Sequence, residues 1–407
     1  MKYDVLIIGG GACGMMAALT AKEAGAKVCI LEKNSLLGKK LLATGNGRCN
    51  FTNEYQDLKC YRAGNTNLMQ EVFSEFNVER TLMYFSKIGI LAKSKAGYYY
   101  PRSNQASSVR YCFEKAVIAK EIDFRLNTEV LNVSRTDQGF CVKTSQGTFL
   151  GDKCIVCTGG KASPKSGSDG FGYDIAKGFG HHIIKPLPAL VQLKCKEKYF
   201  KRLKGIRSIG KVSLFVDDIE ISSDSGEIQF TKEGISGIPV FNISRFATKA
   251  LNEHRNVVAS LDLFYDFSFD VLYSHLLNQM LYRSYPITIR DGLVGMLNES
   301  LIPVVLNEIS LNPEESIMTL REKDIKRLAS FLKDWKVQIT GSNDFDSAQV
   351  TCGGVDLNEV SYNLESNLTK GLFFAGEVLD VDGICGGYNL QWAWSSGYVA
   401  GKNSMEK

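Results

Sequence analysis

The sequence predicts an α/β fold in which a parallel-sheet domain, split in sequence, carries an inserted domain that is antiparallel and β-barrel-like at first and helical afterwards. Three observations lead there. The chain opens on the apolar run Val5-Leu6-Ile7-Ile8 and the glycine turn Gly9-Gly10-Gly11-Ala12-Cys13-Gly14, which reads as a strand buried on both faces feeding a helix. From about Leu190 short alternating strands separated by turn residues take over, the pattern of an antiparallel sheet or barrel. From Gln349 onward buried runs and glycine turns return. The expected boundaries are 1–189 for the first part of the split domain, 190–345 for the insertion (barrel-like over 190–265, helical over 266–345) and 346–407 for the second part.

The opening turn matches G-x-G-x-x-G at Gly9, Gly11 and Gly14. Gly9 permits the sharp turn, Gly11 lets a pyrophosphate lie against the backbone, and Gly14 lets the helix pack close to the strand. The helix expected from about Ala12 to Ala24, with Ala12 and Cys13 in its first turn, points its positive end at the phosphates. Gly25 stops it, Lys27 to Leu31 reads as a second buried strand, and Glu32 falls where a carboxylate holds both hydroxyls of a ribose. Lys33, beside that acid, is grouped with the cofactor residues. Strand, turn, helix, strand and acid in this order predict an adenine dinucleotide. The acid favours an unphosphorylated ribose, hence FAD or NAD over NADP.

The bulk numbers frame this reading. The 407 residues suffice for two or three domains, and 44% hydrophobic with 23% charged residues is ordinary for a soluble protein. No apolar stretch approaches the roughly 20 residues of a membrane span. The chain opens directly on a strand, so no signal peptide is expected. Eleven scattered cysteines suggest reduced thiols and a cytoplasmic setting. Cys154 and Cys157 form a C-x-x-C inside an apolar strand, where residues three apart face opposite sides, so buried thiols are expected and not a redox pair. Four histidines without ligand spacing predict no metal. The net charge of +4 suits anionic small molecules; nucleic acid is not an expected partner.

After Glu32 a basic, glycine-punctuated loop spans Leu37 to Asn50. Lys40, Gly45, Asn46, Arg48, Cys49 and Asn50 are expected to present N–H groups and a guanidinium to the dinucleotide. Residues 66–92 read as helix, Gly97 to Ser103 as an aromatic turn, and 105–120 as helix. Phe124 to Leu126 and Glu129 to Thr144 read as strands, the latter entering a hairpin at Gln146-Gly147; Val130 is grouped with the cofactor residues. Lys153 to Thr158 is a further buried strand that brings Thr158, Gly159 and Gly160 back to the cofactor. A short helix to Gly178 follows, and His181 and His182 after it read as structural or solvent-facing. In the insertion, strands are expected at 191–194, 212–216, 219–222 and 227–231, with turns at Asp217-Asp218 and Ser225-Gly226. A helix runs through Ser244 to Leu251, a helical region from Phe269 to about Leu332 is broken at Pro286, Pro303 and Pro313, and Trp335 to Thr340 is a strand. The closing segment holds a strand at Phe373 to Ala375, then Gly376 and Glu377, and a glycine turn feeding a helix from about Asn389 to Ala400.

These blocks carry a resemblance. Ala43-Thr44-Gly45-Asn46-Gly47-Arg48-Cys49-Asn50, Phe230-Thr231 with Gly234-Ile235-Ser236-Gly237, Gln349-Val350-Thr351 with Gly353-Gly354-Val355, and Gly376-Glu377 through Ser396-Gly397 resemble the BaiN/RdsA family of NAD(P)/FAD-dependent oxidoreductases, which includes aminoacetone-oxidase-type flavoproteins. The resemblance runs from end to end. It implies a Rossmann-like FAD domain held by both ends of the chain, with an inserted substrate domain. Where the family often has His after the Thr and Pro after Ser-Gly, this chain has Lys232 and Ile238.

The helix start Gly387, Tyr388, Asn389, Leu390 and Gln391 is expected to put backbone N–H groups on the pyrimidine end of the flavin, which carries negative charge when reduced. Tyr99, Tyr100 and Lys232 are the candidate proton donors. Only one G-x-G-x-x-G has strand context, so a nicotinamide donor would dock transiently. The expected activity is FAD-dependent reduction of an unsaturated or carbonyl substrate fed by NAD(P)H, as in the bile-acid branch. The alternatives are an amine oxidase of aminoacetone type that passes electrons to oxygen, and an FAD-dependent RNA-modifying or redox-sensing protein. Substrate identity and oligomeric state are not written in the sequence.

Overall fold

The computed structural model describes residues 2–281 and 285–406. It divides into two compact units, Met1–Pro188 with Phe345–Lys407, and Ala189–Asp344.

The first unit is built on a seven-stranded sheet. Its centre is the strand Lys2–Ile8, flanked by Val28–Leu31 and Gly147–Val156, both parallel to it. Asp123–Arg125 and Leu372–Phe374 extend the parallel part, and Gly139–Thr144 and Val130–Thr136 continue it antiparallel. Val5, Leu6, Ile7 and Ile8 are all buried, each worth about 1.5–3 kcal/mol, in one apolar core that includes residues of the opening and closing helices. The opening helix Ala12–Glu23 packs against the closing helix Tyr388–Asn403. The packing is backbone to backbone: a Cβ on Gly397 would lie 2.5 Å from the Cys13 carbonyl oxygen, and one on Gly401 2.4 Å from that of Ala17.

The second unit holds a closed antiparallel barrel of Leu193–Cys195, Gly234–Ser236, Ile219–Phe230, Arg207–Val216, Val257–Asp262 and Trp335–Ser342. Helices Ile238–Asn252, Phe269–Met280, Ile302–Glu308 and Glu322–Lys333 accompany it and share its apolar core around Trp335, Phe230 and Leu328.

Several expectations are corrected. The helix expected over 66–92 is two, Thr66–Glu75 and Val78–Lys87; the Asn77 side chain accepts from Arg80 N–H at 3.0 Å and starts the second. The aromatic turn is a strand, Tyr98–Pro101, hairpinned onto Ala92–Lys95. Glu129 to Thr144 is two strands, and Lys153 to Thr158 is the end of the ten-residue strand Gly147–Val156. Ser225-Gly226 is no turn. Gly226 faces Gly210 inside one twelve-residue strand, Ile219–Phe230. Val257–Asp262 is a strand that had no expectation. Pro303 opens a helix instead of breaking one, since it sits in the first turn of Ile302–Glu308. Residues 282–284 of the expected helical region lie outside the described residues. Among the described residues no helix is long and apolar enough to cross a membrane.

Candidate functional site

The opening turn has the geometry its glycines require. Gly9 has φ +99°, and a Cβ there would lie 2.5 Å from the Cys157 carbonyl oxygen; one on Gly14 would lie 1.9 Å from that of Gly9. Among the described residues no heavy atom comes within 4 Å of a Cβ built on Gly11. Two glycines are therefore fixed by packing and the third fronts open space. Gly11 is also the N-cap of the opening helix and has no side chain to cap it, so the N–H groups of the first turn, at Ala12, Cys13 and Gly14, face that opening.

Glu32 follows the second strand, buried, with its carboxylate turned back onto the turn. Oε2 accepts from Gly10 N–H at 2.7 Å, and Oε1 from the Asn34 N–H and side-chain amide, both at 2.7 Å. Lys33 pairs with Asp169 at 2.5 Å. A cavity of about 390 Å³ beside them is lined by Lys33, Asn34, Asn127, Glu129, Lys165 and Gly167 among others; Val130, the next residue after Glu129, is buried at the head of its strand.

The return strand reaches the turn when Cys157 N–H donates to the Ile8 carbonyl at 2.8 Å. Thr158, Gly159 and Gly160 come next. Gly160 is pressed against the closing segment, since a Cβ would lie 2.4 Å from Thr351 Oγ1 and 3.0 Å from Glu377 Oε1. Glu377 Oε1 accepts from Thr351 N–H at 2.9 Å and Oε2 pairs with Lys40 Nζ at 2.8 Å. Gly376 rests on the opening helix, a Cβ there being 3.0 Å from Cys13 Cβ, and its N–H donates to Ser396 Oγ at 2.9 Å. Both ends of the chain thus meet at one cradle.

A second pair of turns adjoins it. Gly45, Asn46 and Cys49 have φ of +56°, +54° and +59°. Arg48 is exposed and its guanidinium lies 5.5 Å from the Tyr100 ring centroid. Both polar atoms of the Asn50 amide are sealed and have no partner among the described residues, and a Cβ on Gly387 would lie 2.1 Å from its Oδ1. Asn389 ties the other turn: its Oδ1 accepts from Gly383 N–H at 2.8 Å and its amide donates to the Gly383 carbonyl at 2.9 Å. Tyr388 sets its ring edge-on to Tyr61, and burial pushes its phenol up. Leu390 is half-buried against the core. The Gln391 N–H closes the first helical turn onto the Gly387 carbonyl at 2.9 Å, which removes it from the N–H groups expected to be free, and its amide lies in the interior, against Thr52 Oγ1 at 2.6 Å, Thr81 Oγ1 at 2.9 Å and Ser395 Oγ at 2.9 Å.

The candidate proton donors separate. Strand alternation sends Tyr99 to the core side, 6.5 Å from the Phe51 ring, and leaves Tyr100 beside Arg48. Lys232 is exposed in the second unit, between the strands Ile219–Phe230 and Gly234–Ser236. His181 is buried, with Nδ1 3.1 Å from Glu359 and Nε2 2.7 Å from Ser366 Oγ; burial lowers its pKa, and its role is structural. Cys154 and Cys157 are buried free thiols, and the sulfur facing Cys157 is that of Cys13, at 3.5 Å. Burial pushes the Cys154 thiol up to about 12.

Sequence reading passed over Thr351, whose Oγ1 accepts from the N–H groups of Lys161 at 2.8 Å and Ala162 at 3.0 Å, and Asn53, whose amide donates to the Gly386 carbonyl at 3.0 Å. Their signal was their place inside or beside the two glycine-rich blocks.

The open Gly11 and the buried Glu32 have the geometry of a Rossmann-type nucleotide fold, and the relatives make the protein an FAD-dependent oxidoreductase. Residues 3–403 match the family described as HI0933-like protein Rossmann domain, and the chain belongs to that family. It is 39% identical over 404 residues, 98% of each chain, to 3-dehydro-bile acid delta(4,6)-reductase of Clostridium scindens. It is 30% identical over 408 residues, 99% of this chain and 98% of the relative, to ribosomal RNA dihydrouridine synthase of Escherichia coli. Among solved structures, 3-ketosteroid delta1-dehydrogenase from Sterolibacterium denitrificans shares the fold with a TM-score of 0.50 at 11% identity, covering 99% of each chain.

Proposed function

We propose that this protein is an NAD(P)H-linked FAD reductase of a small enone, a substrate in which a carbon–carbon double bond is conjugated to a carbonyl. The observation that carries the substrate class is the end-to-end 39% identity with a reductase of unsaturated bile acids. FAD supplies two-electron hydride chemistry when bound. The residues of this chain do the rest. Gly9, Gly11, Ala12, Cys13 and Gly14 bind the pyrophosphate, and Glu32 takes the ribose hydroxyls with the acceptor capacity left beside its bonds to Gly10 and Asn34. Lys33 and Val130 flank the adenosine, while Thr158, Gly159, Gly160, Gly376, Glu377 and Lys40 line the middle of the cofactor. Gly45, Asn46, Cys49, Asn50, Gly387 and the helix start at Tyr388, Asn389 and Leu390 hold its reacting end. Tyr100 is the proton donor the geometry favours over Tyr99, because it faces away from the core.

One glycine motif with strand context supports a reductant that docks transiently. Anaerobic NADPH or NADH bleaches the flavin in this reading, and an added enone restores the colour. Bleaching by a small amine alone, with recovery in air, would establish the oxidase instead.

A second reading has its own observation. Lys196, Lys198, Lys201, Arg202 and Lys204 are all exposed within one short stretch of the second unit, and a relative acts on ribosomal RNA. RNA binding that weakens steeply with salt would support it.

A further inference from the structure

We propose that Arg48, held over Tyr100 and expected from its loop to serve the dinucleotide, is instead an anion fork that binds the acidic group of a flat apolar substrate at the reacting end of the cradle; the inference rests on the FAD reading above. The guanidinium is fixed at two points. Its Nε–H donates to the Gly45 carbonyl at 3.1 Å, and it lies 5.5 Å from the Tyr100 ring centroid, close enough for a cation–π contact. Both terminal amino groups are left over, and among the described residues Arg48 has no carboxylate partner. A planar guanidinium already oriented and short of a counter-ion is suited to bidentate capture of a carboxylate, sulfate or phosphate.

The surroundings say which molecule brings that group. The turn that carries Arg48 continues to Asn50, against the Gly387 cap of the closing helix. The pyrophosphate opening lies instead at Gly11, the cap of the other helix. On the strand Tyr98–Pro101, Tyr98 and Tyr100 share a face. A Cβ on Gly45 would lie 3.7 Å from Tyr100 Cε1, and one on Gly386 3.0 Å from Tyr98 Cε1. The two half-buried rings therefore bridge the glycine turns on either side of the reacting end, with the fixed cation at one edge. A flat apolar body with one terminal anion fits that face.

The test uses the FAD-loaded protein. Flavin absorbance is titrated with a 3-oxo-4-ene steroid carboxylic acid and with its methyl ester, in the wild type, Arg48→Gln and Arg48→Lys. The wild type is expected to bind the acid about tenfold or more tighter than the ester, the difference a charge-assisted pair supplies. Arg48→Gln should erase the preference and Arg48→Lys restore part of it, with FAD content unchanged in both. Equal binding of acid and ester by the wild type overturns the proposal. So does loss of FAD from Arg48→Gln, which would give the guanidinium to the cofactor, or a weakened response confined to NADPH. Wild-type protein that takes up no FAD would overturn the cofactor reading itself.

Discussion

Lys40 and Glu377 are 337 positions apart in sequence and 2.8 Å apart in space. Their side chains are about one quarter and one fifth exposed, so the pair is neither fully screened nor fully desolvated. It joins the loop after Glu32 to the closing segment. A double-mutant cycle of Lys40→Met and Glu377→Gln should give a coupling of about 1 kcal/mol, read by urea denaturation. FAD retention should fall in both single variants.

The two glycines that meet packing and the one that meets space should respond oppositely to the same substitution. Gly14→Ala drives a methyl into the Gly9 carbonyl and should cost about 3 kcal/mol of stability. Gly11→Ala has φ −76° and an open flank, so folding should change by no more than the roughly 1 kcal/mol of a poorer N-cap while FAD affinity drops. Thermal melting of the apoprotein and fluorescence titration with FAD separate the two effects.

Asn389 holds the Gly383 turn by one accepted and one donated hydrogen bond. Asn389→Leu removes both and should cost about 1–3 kcal/mol. It should also loosen the helix start and weaken FAD binding or shift the flavin midpoint potential. An unchanged redox titration in this variant would remove the helix start from the cofactor site.

His181 gives stability a pH dependence of definite sign. Burial lowers its pKa in the folded state below the ordinary 6.5, so the unfolded chain binds the proton more readily. The contribution is complete above about pH 6.5, declines as the pH falls below it, and levels off once the folded form also protonates. His181→Gln should flatten the melting temperature between pH 7 and the acid side of that window, as differential scanning fluorimetry across pH would record.

The parts of the molecule set by local chemistry were legible in advance. The apolar run to Ile8, the three glycines and Glu32 lie within one stretch and fix strand, turn and helix by steric need alone. The antiparallel insertion announced itself by alternation. What escaped depends on pairing partners, near or far in sequence, that residue types alone do not name. Gly226 looks like a turn until Gly210 pairs with it across a barrel seam. The tyrosines at 98–100 look like a turn until Ala92 to Lys95 supply a second strand. Asn77 is a small polar residue in a helical pattern, and only its bond to Arg80 N–H shows that a new helix begins. In the site, the helix start at Gln391 was legible, but not that its N–H is spent on the Gly387 carbonyl and its amide on Thr52 and Thr81 from distant elements.

The glycines at 397 and 401 let the last helix lie backbone to backbone on the first one. The opening strand and helix therefore gain this neighbour only once residues 388–403 have been made, and any shorter chain lacks one wall of the nucleotide fold. A stop codon ahead of Trp392 should accordingly leave an apoprotein however well the barrel has formed.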